Sequence, residues 1–196
     1  VRQQQSEAAW GLANALLPSG EWIKSSDDHG RPRIVDPRGA LGPDVSLSHS
    51  HGWCAAMIGE GRVGIDIEAV GTPRNWADIA RAYFSRAEQA AVEHDGEPAF
   101  LAFWTLREAV AKLGGDGLAA ALAVDGDAVV SGRNGVCRDR GWVAVHRQSS
   151  GFHLACAWQP AKCNQNADNI IHDVVTRAIG DCGVIINEIA SGEPST

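Results

Sequence analysis

Val63-Gly64-Ile65-Asp66-Ile67-Glu68 alternates apolar and acidic residues with a period of two, the pattern of a half-buried strand. Successive strand side chains point to opposite faces, so Asp66 and Glu68 share one face and Ile65 and Ile67 the other. Downstream, Trp104-Thr105-Leu106-Arg107-Glu108-Ala109-Val110-Ala111-Lys112 reads as helix. Phe103, Leu106, Val110 and Leu113 recur at helical spacing, while Trp104, Glu108 and Lys112 form an i, i+4, i+8 row on another side. With that row against the strand, Asp66, Glu68 and Glu108 converge beside Lys112. Hard oxygen donors of this kind suit Mg²⁺. Taken singly, each feature is ordinary: two acids on a strand are commonly a solvated face, and Glu108 with Lys112 is a favourable helix-surface ion pair. Their joint occurrence with the motifs between and before them is what carries weight.

Those motifs are Ser46-Leu47-Ser48-His49-Ser50 upstream and Tyr83-Phe84-Ser85-Arg86-Ala87-Glu88 in the middle. In order, S-L-S-H-S, G-I-D-I-E, Y-F-S-x-x-E and W-x-x-R-E-A-x-x-K resemble the 4′-phosphopantetheinyl transferase family, most closely its larger, pseudo-dimeric branch. The resemblance covers roughly residues 1–158. It implies an α+β fold of two similar halves, each a small antiparallel sheet packed on helices. The first half, 1–60, would hold the nucleotide side of a coenzyme A site, and the second, 61–158, the metal and the catalytic helix. Residues 159–196 form a C-terminal extension outside the resemblance. The chain opens on Val1, and against the family pattern the first half looks shortened, lacking the opening strand and part of the first helix.

The resemblance also implies the chemistry. Phosphopantetheine would pass from coenzyme A to a serine of an apo acyl or peptidyl carrier protein, in polyketide, nonribosomal peptide or fatty acid synthesis, leaving 3′,5′-ADP. Asp66, Glu68 and Glu108 would hold Mg²⁺. Glu108 would act as the base and Lys112 would stabilise the leaving phosphate. Ser48 and His49 would bind the 3′-phosphate. Arg31, in a Gly30-Arg31-Pro32 element, would contact the nucleotide. Arg107, where the family usually has lysine, would keep a positive charge at the phosphates. Ser85 followed by Glu88 reads locally as a capping box, with a supporting role for Glu88 at the site as the family's addition. The alternative is a coenzyme A-binding relative without transferase activity, acting as a structural or regulatory partner. A metal-dependent pyrophosphate hydrolase is a weaker third reading.

Bulk properties agree with a globular enzyme. Of the 196 residues, 44% are hydrophobic and 21% charged, ordinary values for one domain or two small fused halves. A net charge of −7 argues against broad nucleic-acid or anionic-membrane binding. Cys54, Cys137, Cys156, Cys163 and Cys182 are scattered with no C-x-x-C pair, so neither a disulfide framework nor a zinc site is indicated, and a cytoplasmic setting is expected. A monomer is expected from the branch.

Residues 2–17 carry a helical apolar stripe ended by Pro18-Ser19-Gly20. Residues 25–44, rich in glycine and proline, read as loop. Strands are expected at 45–50 and 53–58 around a His51-Gly52 turn, and at 121–130, 141–147 and 151–158. Two helices should follow Glu68 ahead of the Trp104 helix. In the extension, 160–166 is a polar linker, 168–179 has helical spacing and 183–189 is strand-like.

Overall fold

The computed structural model describes residues 2–115, 136–139, 142–159 and 183–188. The expected strand at 121–130 and helix at 168–179 lie outside them. The first half begins with helix α1 (Arg2–Leu16), followed by strands β1 (Ile23–Ser26), β2 (Pro32–Val35), β3 (Asp44–Ser50) and β4 (Trp53–Gly59). The second half begins with β5 (Val63–Ala69), then helices α2 (Trp76–Tyr83), α3 (Arg86–Asp95) and α4 (Glu97–Gly114), and strands β6 (Val136–Asp139), β7 (Trp142–Gln148) and β8 (Phe152–Trp158). A last strand, β9 (Gly183–Glu188), comes from the C-terminal extension. Among the described residues no helix is long and apolar enough to cross a membrane.

The strands form a β1-β2 hairpin, a sheet ordered β3-β4-β9 and a sheet ordered β5-β8-β7-β6. All pairings are antiparallel. The α+β architecture of small antiparallel sheets on helices is therefore present. The hairpin corrects the loop expected at 25–44: glycine and proline dominate that stretch, yet each strand needs only four residues. Ser50 pairs with Trp53 across His51-Gly52, and both turn residues have positive φ, 38° and 91°, as two-residue hairpins of the I′ kind require.

α4 packs on β5, β8 and β7, burying Phe100, Phe103, Leu106, Ala109 and Leu113 with Ala144, Ala155 and Ala157. The opposite face of that sheet buries Ile65, Ile67, Leu154 and Cys156 against Ala55 and Met57 of β4, so the two halves share a core. Gly64 makes the α4 contact possible: a Cβ there would lie 2.0 Å from the Ala109 carbonyl oxygen. Helix backbone thus rests directly on strand backbone. α3 opens on the expected capping box of Ser85 and Glu88. α4 carries proline in its first turn and ends on left-handed Gly115.

Candidate active site

The site is assembled where β3 meets β5. β8 covers one edge of β5; along the other edge no strand among the described residues pairs with its backbone. Side-chain oxygens of β3 take that place. Val63 N–H donates to Asp44 Oδ2 (2.9 Å), Ile65 N–H to Ser46 Oγ (3.0 Å), Ile67 N–H to Ser48 Oγ (3.2 Å) and Ala69 N–H to Ser50 Oγ (3.2 Å). Every second residue of one strand serves every second residue of the other, so the serine alternation satisfies an exposed edge as well as patterning a face.

The same hydroxyls fix the carboxylates. Ser48 Oγ donates to Asp66 Oδ1 at 2.8 Å, and Ser50 Oγ to Glu68 Oε2 at 2.8 Å. Lys112 Nζ donates to Asp66 Oδ1 at 2.7 Å and to Ser48 Oγ at 3.0 Å. The close approach permitted by Gly64 therefore brings α4 to the acidic face of β5, as the spacing predicted. Asp66 is buried, and its Oδ2 has no hydrogen-bond partner. Burial raises its pKa, with the Glu68 charge adding to it and Lys112 opposing. Glu108, half-buried, is also held above the usual carboxylate range, first by burial and then by the Asp66 charge. Burial acts on Glu68 in the same direction. There, hydrogen bonds from Arg74 (Nη1 to Oε1, 3.0 Å; Nη2 to Oε2, 2.7 Å) and Ser50 win, leaving its pKa lowered.

The three expected metal ligands thus share one electrostatic neighbourhood but differ in availability. Among the described residues, no group of three histidines, cysteines or carboxylates is close enough to hold an ion. The donor chemistry fits a hard divalent cation: Asp66 has an unpartnered buried oxygen, and burial, with neighbouring carboxylate charge adding to it, raises both Asp66 and Glu108. Glu68 is already satisfied on both oxygens.

Glu108 and Lys112 line a cleft of about 270 Å³ with Arg31, Ser46 and Leu47. Beside it, sharing Gly30, Pro32 and Leu47, opens a larger cavity of about 620 Å³ walled by Ser6, Trp10, Lys24 and His49. His49 lies there and Ser48 does not, because neighbours on a strand face opposite ways. The structure therefore separates the two residues expected together at one phosphate: Ser48 braces Asp66 and His49 faces the cavity.

Two further expected site residues make their polar contacts inside the protein. Arg107 is 2% exposed and pairs with the fully buried Glu88 (Nη2 to Oε2, 2.7 Å), its guanidinium 5.2 Å from the Phe84 ring. It sits in the helical core, because one helical step from Glu108 turns a side chain about 100° away. Glu88 consequently both caps α3 and neutralises Arg107. Arg31 borders the cleft, but its guanidinium points inward, donating to Asp44 Oδ2, to the Lys112 carbonyl and to the Val63 carbonyl (2.9 Å). Sequence reasoning missed Asp44 and Arg74. Asp44 continues the serine alternation by one step, and that was its visible signal. Arg74, in the loop after β5, had none beyond its charge.

A family model described as 4′-phosphopantetheinyl transferase superfamily matches residues 62–157, the segment from β5 to β8 that contains Asp66, Glu68, Glu108 and Lys112. That segment is thus similar to that superfamily. The 4′-phosphopantetheinyl transferase AcpT of Salmonella typhi is 36% identical over 121 residues, covering 58% of this chain and 59% of the relative. The protein of the same name from Escherichia coli strain K12 is 38% identical over 123 residues, 58% of each chain. The chain thus spans about three fifths of the length of the curated relatives it matches. The superfamily match takes in β5 and α4 and stops short of β9.

Proposed function

We propose that the protein transfers 4′-phosphopantetheine from coenzyme A to a serine hydroxyl of an apo acyl or peptidyl carrier protein, with Mg²⁺. The observation that carries this reading is Lys112 held on Asp66 Oδ1 while Glu108 and Lys112 face one cleft. Asp66 and Glu108 are the residues with oxygens to offer a divalent ion, with Glu68 behind them. The ion would supply charge neutralisation for the pyrophosphate and orient it for in-line attack. Glu108, its pKa raised by burial and by Asp66, takes the proton of the carrier serine. The serine oxygen bonds to the pantetheine-bearing phosphorus as the bridging P–O bond breaks, and 3′,5′-ADP departs with the electron pair. Lys112 stabilises charge on the departing phosphate. The cavity beside the cleft, with His49, Lys24 and Trp10 on its walls, suits the phosphorylated nucleoside end: cations for phosphate, an aromatic ring for the base.

The test is incubation with coenzyme A, Mg²⁺ and a panel of apo carrier proteins, followed by intact mass. A phosphopantetheine adduct on the carrier is the expected product. Asp66→Ala should abolish it in a protein that still folds, and Glu108→Gln should slow it by about 10²–10⁴-fold. 3′-Dephospho-coenzyme A should bind more weakly than coenzyme A, and His49→Ala should erase that difference. A coenzyme A-binding relative without transfer is favoured by one observation, the lack of a three-donor group among the described residues. Coenzyme A binding with no adduct on any carrier would select it.

A further inference from the structure

The family match ends at residue 157, yet the fold uses chain beyond it. β9 lies antiparallel on β4, with Glu188 opposite Trp53 and Gly183 opposite Ile58. β5 lies on β8 in the same manner, with Ala69 opposite Phe152 and Gly64 opposite Ala157. The sheets read β9-β4-β3 and β5-β8-β7. α1 rests on β3, β4 and β9 as α4 rests on β7, β8 and β5. Superposing the two registers on Trp53 and Phe152 places Gly183 on Gly64, Val184 on Ile65, Ile186 on Ile67 and Asn187 on Glu68. Glycine therefore meets glycine, and Val184 and Ile186 meet Ile65 and Ile67. The acidic pair is lost, Asp66 against Ile185 and Glu68 against Asn187, while Glu188 stands against Ala69 at the strand end. Trp53 and Phe152, the matched positions, touch each other with ring centroids 4.7 Å apart, as equivalent residues beside a local two-fold axis do.

We propose that β9 is the first half's counterpart of β5. The C-terminal extension is then a built-in strand that completes the first sheet by edge addition, in the place where the second half uses its acidic strand. The occupant of the β4 edge is Gly183–Glu188 of the same chain. It supplies backbone partners and carries Ile185 and Asn187 where β5 carries Asp66 and Glu68, so only one half holds that acidic pair. Its loss exposes the β4 edge and undercuts α1, whose Ser6 and Trp10 form a wall of the 620 Å³ cavity. The strand assignment stands apart from the transferase reading; only its consequence for coenzyme A depends on that reading.

Register is tested in the full-length protein by Asn187→Cys, which puts a thiol opposite Cys54, within the reach of a cross-strand pair. Mild diamide oxidation should join the new thiol to Cys54 within a single chain, as read by peptide mass. Ile185→Cys, opposite Ala56, should not link to Cys54. No link, or a link between two chains, overturns the assignment. The double variant Val184→Pro with Ile186→Pro removes two backbone donors. It should lower hydrogen-exchange protection of β3, β4 and α1 by at least tenfold while α4, β5 and β8 keep theirs. Unchanged protection in the first half overturns the proposal. Coenzyme A affinity, measured on the same variant, should fall. Lost protection with full coenzyme A affinity would leave β9 in place and remove the coenzyme from the first half.

Discussion

Glu68 and Asp66 are two residues apart on one strand face, and their neighbours give them opposite characters. Arg74 and Ser50 occupy both oxygens of Glu68, whereas Asp66 keeps one oxygen unpartnered. Arg74→Ala should therefore destabilise the fold by about 1.5–3 kcal/mol at neutral pH, the range for hydrogen bonds to a charged group. The folded-state pKa of Glu68 lies below its ordinary 4.5. The stabilisation is thus present in full above that value and is lost as pH falls through the folded pKa. Urea melts of the two proteins should differ most at pH 7 and converge in acid. A gap that stays constant with pH would mean that Arg74 acts by packing rather than by holding the carboxylate charged. The same variant frees Glu68 as an oxygen donor, so Mg²⁺ affinity, measured by titration calorimetry, should rise if Glu68 belongs to the ion's ligands.

At the scale of elements, the site exists because two surfaces approach unusually closely. Gly64 lets α4 sit on β5, and a methyl group there would have to displace helix backbone 2.0 Å away. Gly64→Ala should cost about 1–3 kcal/mol by overpacking, seen as a lower melting temperature, and should part Lys112 from Asp66 with a larger loss in turnover than in coenzyme A affinity. The serine ladder is the second approach. Ser46→Ala leaves the Ile65 N–H without its acceptor and should cost about 1–3 kcal/mol, the penalty for an unsatisfied buried donor. Ser48→Ala should do the same and also release Asp66. Much of this was legible locally: period-two alternation placed β3 and β5, and the i, i+4 row placed Glu108 and Lys112 together. The partnership of the two strands was not, since Ser46 serves a residue 19 positions away and no local pattern records that register. Arg107 and Arg31 misled for the same reason. Their partners, Glu88 and Asp44, become visible only when α3 packs on α4 and β2 comes to lie beside β3.

Across the whole molecule, each half brings something the other lacks: the acidic strand and α4 in one, the open cavity and a borrowed strand in the other. The second half also conceals a buried histidine pair. His146 Nε2 and His153 Nδ1 lie 3.0 Å apart and both residues are buried. Their sheet face is that of Asp66 and Glu68, since Asp66 pairs with Ala155, Ala155 with His146, and Glu68 with His153. One ring donates and the other accepts, an arrangement that requires at least one neutral imidazole. Burial pushes the pKa of His153 from 6.5 down to about 4. Between those values the unfolded chain binds a proton that the folded chain refuses, so stability falls as pH drops through this window, by up to about 1.4 kcal/mol per pH unit. Chemical denaturation at pH 7, 5.5 and 4.5 should show this decline, and His153→Gln should flatten it at some expense in stability at pH 7. A slope unchanged in that variant would transfer the proton to another group.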